Sequence, residues 1–285
     1  MSDTAPPIVF RSLPIITTGR NKVLYPGVVL QLKIKKDDSK ELMEQMWDLH
    51  LTGKTIIIGC VPLIVGETHS DSHSDETTTK AEAKIIRPID AEHLFGWGTA
   101  ARVISFKKNN PYQIKVTKAA YILTLEGVTR FKLEKITKTV PFFEADIGPV
   151  PEREINLDDP DMVAIIAAFR TAGNDFANVL STLQIPQAVL VQLRQKLDST
   201  PIGQLADLFV SVIDLSPEER LQILATVDVK TRIHQALGLL TRQVQVLKIS
   251  AKLQTNVENN VGSKQRELAL RRQVNGWSDQ RKFNT

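Results

Sequence analysis

Apolar and polar residues alternate with a period of two through the first half of the chain. In the segment VVLQLKI, residues 28–34, Leu30, Leu32 and Ile34 fall on one side and Gln31 and Lys33 on the other. This alternation predicts a half-buried β-strand. The segment YQIKVT, residues 112–117, has the same pattern. Further β-rich runs cover residues 8–16, 55–61, 99–106, 121–136 and 141–147.

The run 121–136 is long enough for two strands. Glu126 and Gly127 sit in its middle, and glycine accepts the positive φ of a tight turn, so we predict a turn there between two paired strands. One helix interrupts the strands: Ser39 can cap the segment KELMEQMWDLHL, where Leu42, Met46 and Leu49 share a face. Residues 1–152 are therefore predicted to form a β-rich lobe whose sheet closes into an open barrel.

The hydrophobic period changes from two to 3.6 after Pro151. Asp159 followed by Pro160 is a helix start, because proline at the first helical position loses no needed N–H. Ser216 and Glu219, in the segment SPEERLQIL, have the spacing of a capping box. Residues 153–227 are therefore predicted to form an all-helical lobe.

A long helix is predicted from Asp228 to Asn260, where the sequence has no proline. Apolar residues recur in it at spacings of four and three, at Ile233, Leu237, Leu240, Val244 and Leu247. Beyond Ser250 this stripe thins, so we expect the distal half to project. Residues 228–285, the long helix and a basic tail, form the third predicted part, and the fold class is α+β.

Composition and charge exclude some classes of protein. No window approaches 18 uninterrupted apolar residues, so we predict no membrane span. The N-terminal MSDTAPPIVF lacks the arginines of a mitochondrial transit peptide, and we expect no cleaved address. Residues 228–285 hold 11 Lys and Arg against 4 Asp and Glu. This excess fits a solvated helix face or a nucleic-acid contact, and we favour the first.

No catalytic or metal-binding motif is visible in the sequence. It contains no G-x-x-x-x-G-K-[ST], G-x-S-x-G, H-E-x-x-H or paired-cysteine spacing. Cys60, the single cysteine, lies in an apolar run and is predicted to be a buried, inert thiol. His69, Asp71, His73 and Asp75 alternate in a polar loop, where no fixed surroundings would hold a metal. We predict no catalytic residue, metal or cofactor, which leaves a binding or scaffolding protein.

Several short motifs resemble the N-terminal region of Lon proteases. LPIITTGRNKVLYPGVVLQL resembles an L-P-[LIV] run followed by a proline–glycine entry into a strand. GWGTAARVISF resembles a G-T-A segment, and LTLEGVTRFKL a [LV]-x-G-x-x-R-[FA] segment. The matching residues are Leu13, Pro14, Pro26, Gly27, Gly98, Thr99, Ala100, Gly127, Arg130 and Phe131. The resemblance extends through SPEERLQIL and RIHQALGLLTRQVQVLKI, from about residue 8 to 255.

This resemblance implies a larger parent enzyme. LTGKTIIIGCVPL and LRQKLDSTPIGQLADLF are similar to the peroxisomal branch, which implies the peroxisomal matrix and the degradation of misfolded or unassembled proteins there. The family's enzymes are hexameric, ATP- and magnesium-dependent serine proteases. Their ATPase and protease modules would follow the long helix, so we expect this chain to be a non-catalytic fragment. A stand-alone, cytoplasmic interaction module is the alternative.

The resemblance also implies a substrate-recruiting role. Unfolded or damaged proteins would be held on exposed apolar surface, for which we choose Phe95, Trp97, Phe142 and Phe143. These residues are equally consistent with ordinary core aromatics. The stripe Ile233, Leu237, Leu240, Val244 and Leu247 would align neighbouring copies in the hexamer. We expect no membrane partner.

A stand-alone RNA-binding protein is the alternative from another class. Small open barrels are common RNA platforms, and Phe106, Lys107, Lys108 and Tyr112 offer aromatic and cationic groups. We rank it below the Lon interpretation and do not expect nucleic acid as the partner. A third alternative is a ligase substrate receptor with a similar β lobe. Such receptors usually have a zinc site built from cysteines, so the single cysteine argues against this alternative.

Overall fold

The structure is a computed structural model that describes residues 12–35, 40–64, 91–110, 112–114, 119–152, 155–156, 158–183 and 185–253. Over these residues it contains six strands: β1 Ser12–Thr18, β2 Val29–Ile34, β3 Ile57–Pro62, β4 Trp97–Lys108, β5 Tyr121–Lys138 and β6 Phe143–Val150. The main helices are α1 Lys40–Leu51, α2 Pro160–Thr182, α3 Gln187–Ser199, α4 Ile202–Val212, α5 Pro217–Ala225 and α6, residues 229–253. The predicted α+β class is confirmed.

Five of the strands close a ring. β1 pairs in parallel with β3 and antiparallel with β6, β4 lies between β3 and β5, and β5 also pairs with β6. β5 closes the ring because it has 18 residues. Its first part pairs with β2 and its last part with β6, while β4 covers its other edge.

Two apolar clusters form the core of the ring. Neighbouring residues of β1 enter different clusters, Ile15 one and Ile16 the other, because successive side chains of a strand point to opposite faces. Helix α1 adds Leu42, Met43 and Met46 to the cluster that contains Ile16. The predicted helix is confirmed, whereas its predicted cap, Ser39, lies outside the described residues. The buried face of the helix turns toward Met43, and Leu49 is exposed.

The turn predicted at Glu126 and Gly127 is wrong, because β5 continues through both residues. Gly127 has another role. Its N–H donates to the Val28 carbonyl and its carbonyl accepts from the Gly27 N–H, both across 2.9 Å. A Cβ at Gly127 would overlap the carbonyl group of Tyr25. Glycine is needed here for close backbone approach rather than for a turn.

The strand predicted over residues 112–117 is also wrong where the structure describes it, since 112–114 are helical. Asn110 and Gln113 explain the difference. The Gln113 N–H donates to Asn110 Oδ1 across 2.8 Å, and the Asn110 N–H donates to Gln113 Oε1 across 3.0 Å. This reciprocal capping favours a helical turn over an extended strand.

The helix starts predicted in the second half are confirmed. Helix α2 begins at Pro160, and Asp159 Oδ1 accepts from the Asp161 N–H across 3.0 Å. At α5 the Glu219 N–H donates to Ser216 Oγ across 3.3 Å, and the Ser216 N–H donates to Glu219 Oε2 across 3.0 Å. The long helix is present as α6, and its predicted continuation to Asn260 lies outside the described residues.

The described residues form two compact units. One contains the ring and α1, with the chain up to Phe169 and Thr200–Leu239. The other contains Arg170–Ser199 and α6 from Leu240 onward. The three-part domain division from the sequence stays a prediction.

Helices long and apolar enough for a bilayer span do not occur in the described parts of the chain.

Candidate functional site

A buried ion cluster joins β5 to two helices within the first unit. Arg130 Nη2 of β5 lies 2.6 Å from Asp207 Oδ1 of α4, and Arg232 Nε of α6 lies 3.5 Å from the same oxygen. The side chains of Arg130, Asp207 and Arg232 are only 4%, 0% and 1% exposed. Buried charges of this kind must be paired, because each loses its hydration.

Backbone carbonyls and a further carboxylate extend the cluster. Arg130 Nε donates to the Leu224 carbonyl across 3.2 Å, and Arg232 Nη1 donates to the Thr226 carbonyl across 3.3 Å. Arg232 also pairs with Glu152, which follows β6. Burial lowers the pKa of the Arg232 guanidinium, and the nearby Asp207 and Glu152 carboxylates oppose that shift. The cluster therefore fastens the end of the sheet to α4, α5 and α6.

A cavity of about 130 Å³ adjoins this cluster. Small-molecule sites typically measure about 300 Å³ or more, so this cavity has room for a few water molecules but not for a nucleotide. It is lined by Pro26, Val128, Thr129, Arg130, Val150, Pro151, Glu152, Gln204, Val227 and Arg232. The arginines and Glu152 already pair with each other or with neighbouring groups, which favours a structural role.

The four aromatic residues chosen from the sequence lie in different environments. Phe142 is only 6% exposed and belongs to the core cluster with Ile16. Phe143 packs against the other cluster, whereas Phe95 and Trp97 are half-buried. Phe142 thus has the environment of a core aromatic, the alternative that the sequence left open.

Phe95 and Trp97 lie where β3 meets β4. The Phe95 N–H donates to the Pro62 carbonyl across 2.9 Å, and the Ile64 N–H donates to the His93 carbonyl across 2.8 Å. These bonds bring exposed Ile64 beside the segment that carries both aromatics. We call Ile64, Phe95 and Trp97 the apolar patch.

The helix stripe predicted from the sequence is mostly covered by the chain itself. Ile233, Leu240 and Val244 are buried, and Leu237 and Leu247 are half-buried. A second set of apolar residues on α6 is exposed instead. Val246, Ile249 and Leu253, at spacings of three and four, are 49%, 59% and 60% exposed.

The groups named for RNA binding do not share one accessible surface. Phe106 is buried and packs edge-on against Trp47, with ring centroids 5.3 Å apart. Its ring is therefore not available for stacking on a base. Lys107 and Lys108 are exposed, and Tyr112 is 76% exposed.

The sequence also pointed to a single cysteine and four candidate metal ligands. Cys60 is buried, and burial raises the pKa of its thiol. His69, Asp71, His73 and Asp75 lie outside the described residues. Groups of three or more histidine, cysteine or acidic residues that could bind a metal are absent from the described residues.

A family model described as the "ATP-dependent protease La (LON) substrate-binding domain" matches residues 12–242. The chain belongs to the Lon substrate-binding domain family. The match covers the whole ring and most of the described helices.

Curated relatives agree with this assignment. The Lon chain is 27% identical over 296 residues to "Lon protease homolog 2, peroxisomal" of Zea mays, covering 96% of this chain and 32% of that protein. It is 28% identical over 262 residues to "Lon protease" of Anaeromyxobacter dehalogenans, covering 92% of this chain and 27% of that protein. It thus spans about a third of the length of these relatives.

A solved structure supports the fold. The N-terminal domain of Mycobacterium avium complex Lon protease matches with a TM-score of 0.52 at 13% identity, over 81% of this chain and 98% of that domain.

The residues that match the Lon motifs make structural contacts in this chain. Thr99 Oγ1 donates to the Leu24 carbonyl across 2.7 Å. A Cβ at Gly98 would lie 2.5 Å from Phe131 Cζ, so glycine makes room for that buried ring. Arg130 pairs with Asp207. The motifs therefore identify the fold rather than a binding surface.

Sequence reasoning missed the partners of Arg130. Asp207 is the only charged residue of the apolar helix IGQLADLFVSV, and Arg232 directly precedes the buried Ile233. A charge inside an apolar pattern is the signal that could have revealed both, since buried charges require partners.

Proposed function

We propose that this chain is the substrate-recruiting part of an ATP-dependent Lon protease. The match of residues 12–242 to a domain described as substrate-binding carries the proposal. The chain supplies capture, whereas ATP and magnesium serve ATPase and protease modules elsewhere in the parent. Unfolded or unassembled proteins are the substrates.

The parent is a peroxisomal protein in this proposal. Its support is the name "Lon protease homolog 2, peroxisomal" of relatives from Zea mays and Arabidopsis thaliana. Because the chain covers 32% of the Zea mays protein, we expect the native protein to be roughly three times longer. Immunodetection after organelle fractionation tests both points: a full-length band in the peroxisomal fraction is expected, and a band of this chain's size in the cytosol would overturn them.

The apolar patch is our candidate for the capture surface. Phe95, Trp97 and Ile64 share the β3–β4 junction and retain exposed apolar surface. Apolar surface can hold many unfolded chains weakly, because the hydrophobic effect is not directional. Phe142 is buried in the core cluster with Ile16, so it is left out of the proposed capture surface.

Binding of a labelled, chemically unfolded model protein tests the apolar patch. We expect Phe95→Ala with Ile64→Ser to weaken binding several-fold, and Tyr112→Ala to leave it unchanged. Tyr112 is the matched control, since it is an exposed aromatic residue outside the patch. Equal binding by the wild-type protein and both variants would exclude the patch.

Binding of labelled single-stranded RNA tests the alternative function. Tight RNA binding that falls steeply with salt, without binding of the unfolded protein, would replace the proposal.

Helix α6 aligns neighbouring copies in the hexameric parent. We assign this contact to the exposed residues Val246, Ile249 and Leu253, since most of the stripe predicted earlier is covered. Sedimentation over a range of concentrations tests it. Self-association that Ile249→Lys abolishes is expected, and an unchanged distribution in that variant would refute the contact.

A further inference from the structure

No described strand pairs with the outer edge of β2. β2 stands at the end of the strand order, and its described neighbour is β5. The Val28 and Ile34 carbonyls accept from Gly127 and Ala120 across 2.9 and 2.8 Å, so the even-numbered residues direct their backbone groups toward β5. In an antiparallel pair, alternate residues point their N–H and C=O groups the opposite way. Val29, Gln31 and Lys33 therefore present theirs to the unpaired edge.

The side chains along this edge have two different faces. Leu32 is buried and Leu30 and Ile34 pack against the core, whereas Val29, Gln31 and Lys33 are exposed. The side chains of a strand added here would alternate between the face with Leu30, Leu32 and Ile34 and the face with Val29, Gln31 and Lys33.

Charge at the edge selects the added strand. Lys33 lies opposite Ile122 of β5, which pairs on its other side with Lys107 of β4, so two exposed cations flank one isoleucine. Nearer the start of β2, Glu126 is neutralised by Arg102. β2 itself has no acidic residue, so a second copy of the strand would not offer the complementary charge.

We propose that the edge of β2 binds an extended segment of the substrate by strand addition, with alternate apolar residues and an acidic residue beside Lys33. This rests on the proposed recruitment function and specifies its substrate class. Backbone hydrogen bonds hold sequences of many kinds, and Lys33 favours segments with a carboxylate at one end.

Labelled capped hexapeptides of the length of β2 are the probes. One alternates valine and threonine and ends in glutamate, a second ends in lysine, and a third has alternate backbone nitrogens methylated. We expect the unmethylated glutamate peptide to bind best and the methylated one not to bind. Equal binding of the methylated peptide would overturn the proposal, because strand addition needs those N–H groups.

Gln31→Pro removes the outward N–H while leaving the pairing with β5 intact, since proline is tolerated on the free side of an edge strand. We expect affinity for the glutamate peptide to fall about tenfold, and Gln31→Thr, the matched control, to bind normally. Lys33→Glu should reverse the preference between the glutamate and lysine peptides, and circular dichroism checks that each variant is folded. Peptide binding by Gln31→Pro and Lys33→Glu that equals wild-type binding would refute the proposal that the edge of β2 is the binding site.

The unfolded model protein separates the two proposals. If wild-type protein binds it and Gln31→Pro binds it equally well, recruitment stands and strand addition falls. If the wild-type protein binds neither the unfolded protein nor the peptides, both fall.

Discussion

Arg130 of β5 and Asp207 of α4 form a buried ion pair, with Nη2 and Oδ1 2.6 Å apart although the two residues are 77 positions apart in sequence. Arg232 approaches the same carboxylate from α6. One aspartate thus joins the sheet to two helices. The Leu224 carbonyl accepts from Arg130 and the Thr226 carbonyl accepts from Arg232, which partly compensates for the burial of the two guanidinium groups.

Replacing Asp207 by alanine should destabilise the fold strongly. The change leaves Arg130 buried without its carboxylate, and breaking a buried pair costs about 3–5 kcal/mol. Chemical denaturation measures this free energy of unfolding. Glu126→Ala is the control, because its pair with Arg102 is exposed and such pairs contribute about 1 kcal/mol or less.

A double variant separates burial from specific pairing. Arg130→Met with Asp207→Leu removes both charges, so it should be more stable than Asp207→Ala alone. An Asp207→Ala variant as stable as the Glu126→Ala control would contradict the buried ion cluster.

Gly127→Ala should disrupt the packing between β5 and residues 25–28. A Cβ there overlaps the Tyr25 carbonyl group, which is backbone and cannot move without breaking the Gly27 and Val28 hydrogen bonds. We expect a loss of at least about 2 kcal/mol in the free energy of unfolding. Gly96→Ala is the control, since nothing lies within 4 Å of a Cβ at Gly96. Similar stability of the two variants would show that residues 25–28 adapt easily.

Local patterns in the sequence predicted local structure well. The alternation around Leu32 gave β2, and the Ser216 capping box gave the start of α5, since both signals depend on residues a few positions apart. The turn predicted at Gly127 was wrong because glycine permits both tight turns and close approach of another backbone segment. The segment that approaches contains Tyr25, which is 102 positions away in sequence.

The candidate site was harder to predict for the same reason. The exposure of an aromatic residue depends on which other parts of the chain pack against it. Phe142 and Phe95 therefore look alike in sequence but differ in burial. The edge of β2 that no described strand pairs with follows from strand order, which no local pattern encodes. Motif resemblance identified the family, and three of the motif residues, Gly98, Thr99 and Arg130, make structural contacts in this chain.

The Asp159–Lys230 ion pair should make stability depend on acid pH. The hydrogen bond from Lys230 holds the pKa of Asp159 below its usual value. A depressed carboxylate pKa contributes stability above the unfolded pKa of about 3.9, and this is lost as the pH falls through the lower folded value. Asp159→Asn keeps an acceptor for the Asp161 N–H but removes the charge.

Thermal unfolding at neutral pH and at about pH 2.5 measures the effect, which should be small because both groups are solvent-accessible. The melting temperature of Asp159→Asn should lie slightly below that of the wild-type protein at neutral pH, and this difference should shrink at low pH. Lys230→Met should lose the same amount at neutral pH, and the double variant no more. A difference that persists at low pH would assign the loss to helix capping rather than to charge.

Cys60 should resist thiol reagents in the native protein. It is buried, and burial raises the pKa of its thiol, so the reactive thiolate is scarce at neutral pH. We expect slow labelling by a disulfide reagent in buffer and complete labelling in denaturant. Asp207→Ala should label faster than wild type, since a less stable fold opens more often. Rapid labelling of the native wild-type protein would place Cys60 on a mobile edge instead of in the core.

Gly238→Ala should stabilise the protein through α6. Gly238 lies inside that helix, it is exposed, and nothing lies within 4 Å of a Cβ built on it. Alanine there gains about 0.5–1 kcal/mol, because glycine loses more backbone entropy on entering a helix. Denaturation of the wild-type and Gly238→Ala proteins measures the gain, and Gly127→Ala, which has the same chemical change in β5, should shift the midpoint the other way. A loss of stability in Gly238→Ala would mean that the wild-type helix bends or is contacted at that position, and the helix face that carries Val246, Ile249 and Leu253 would then need to be reassigned.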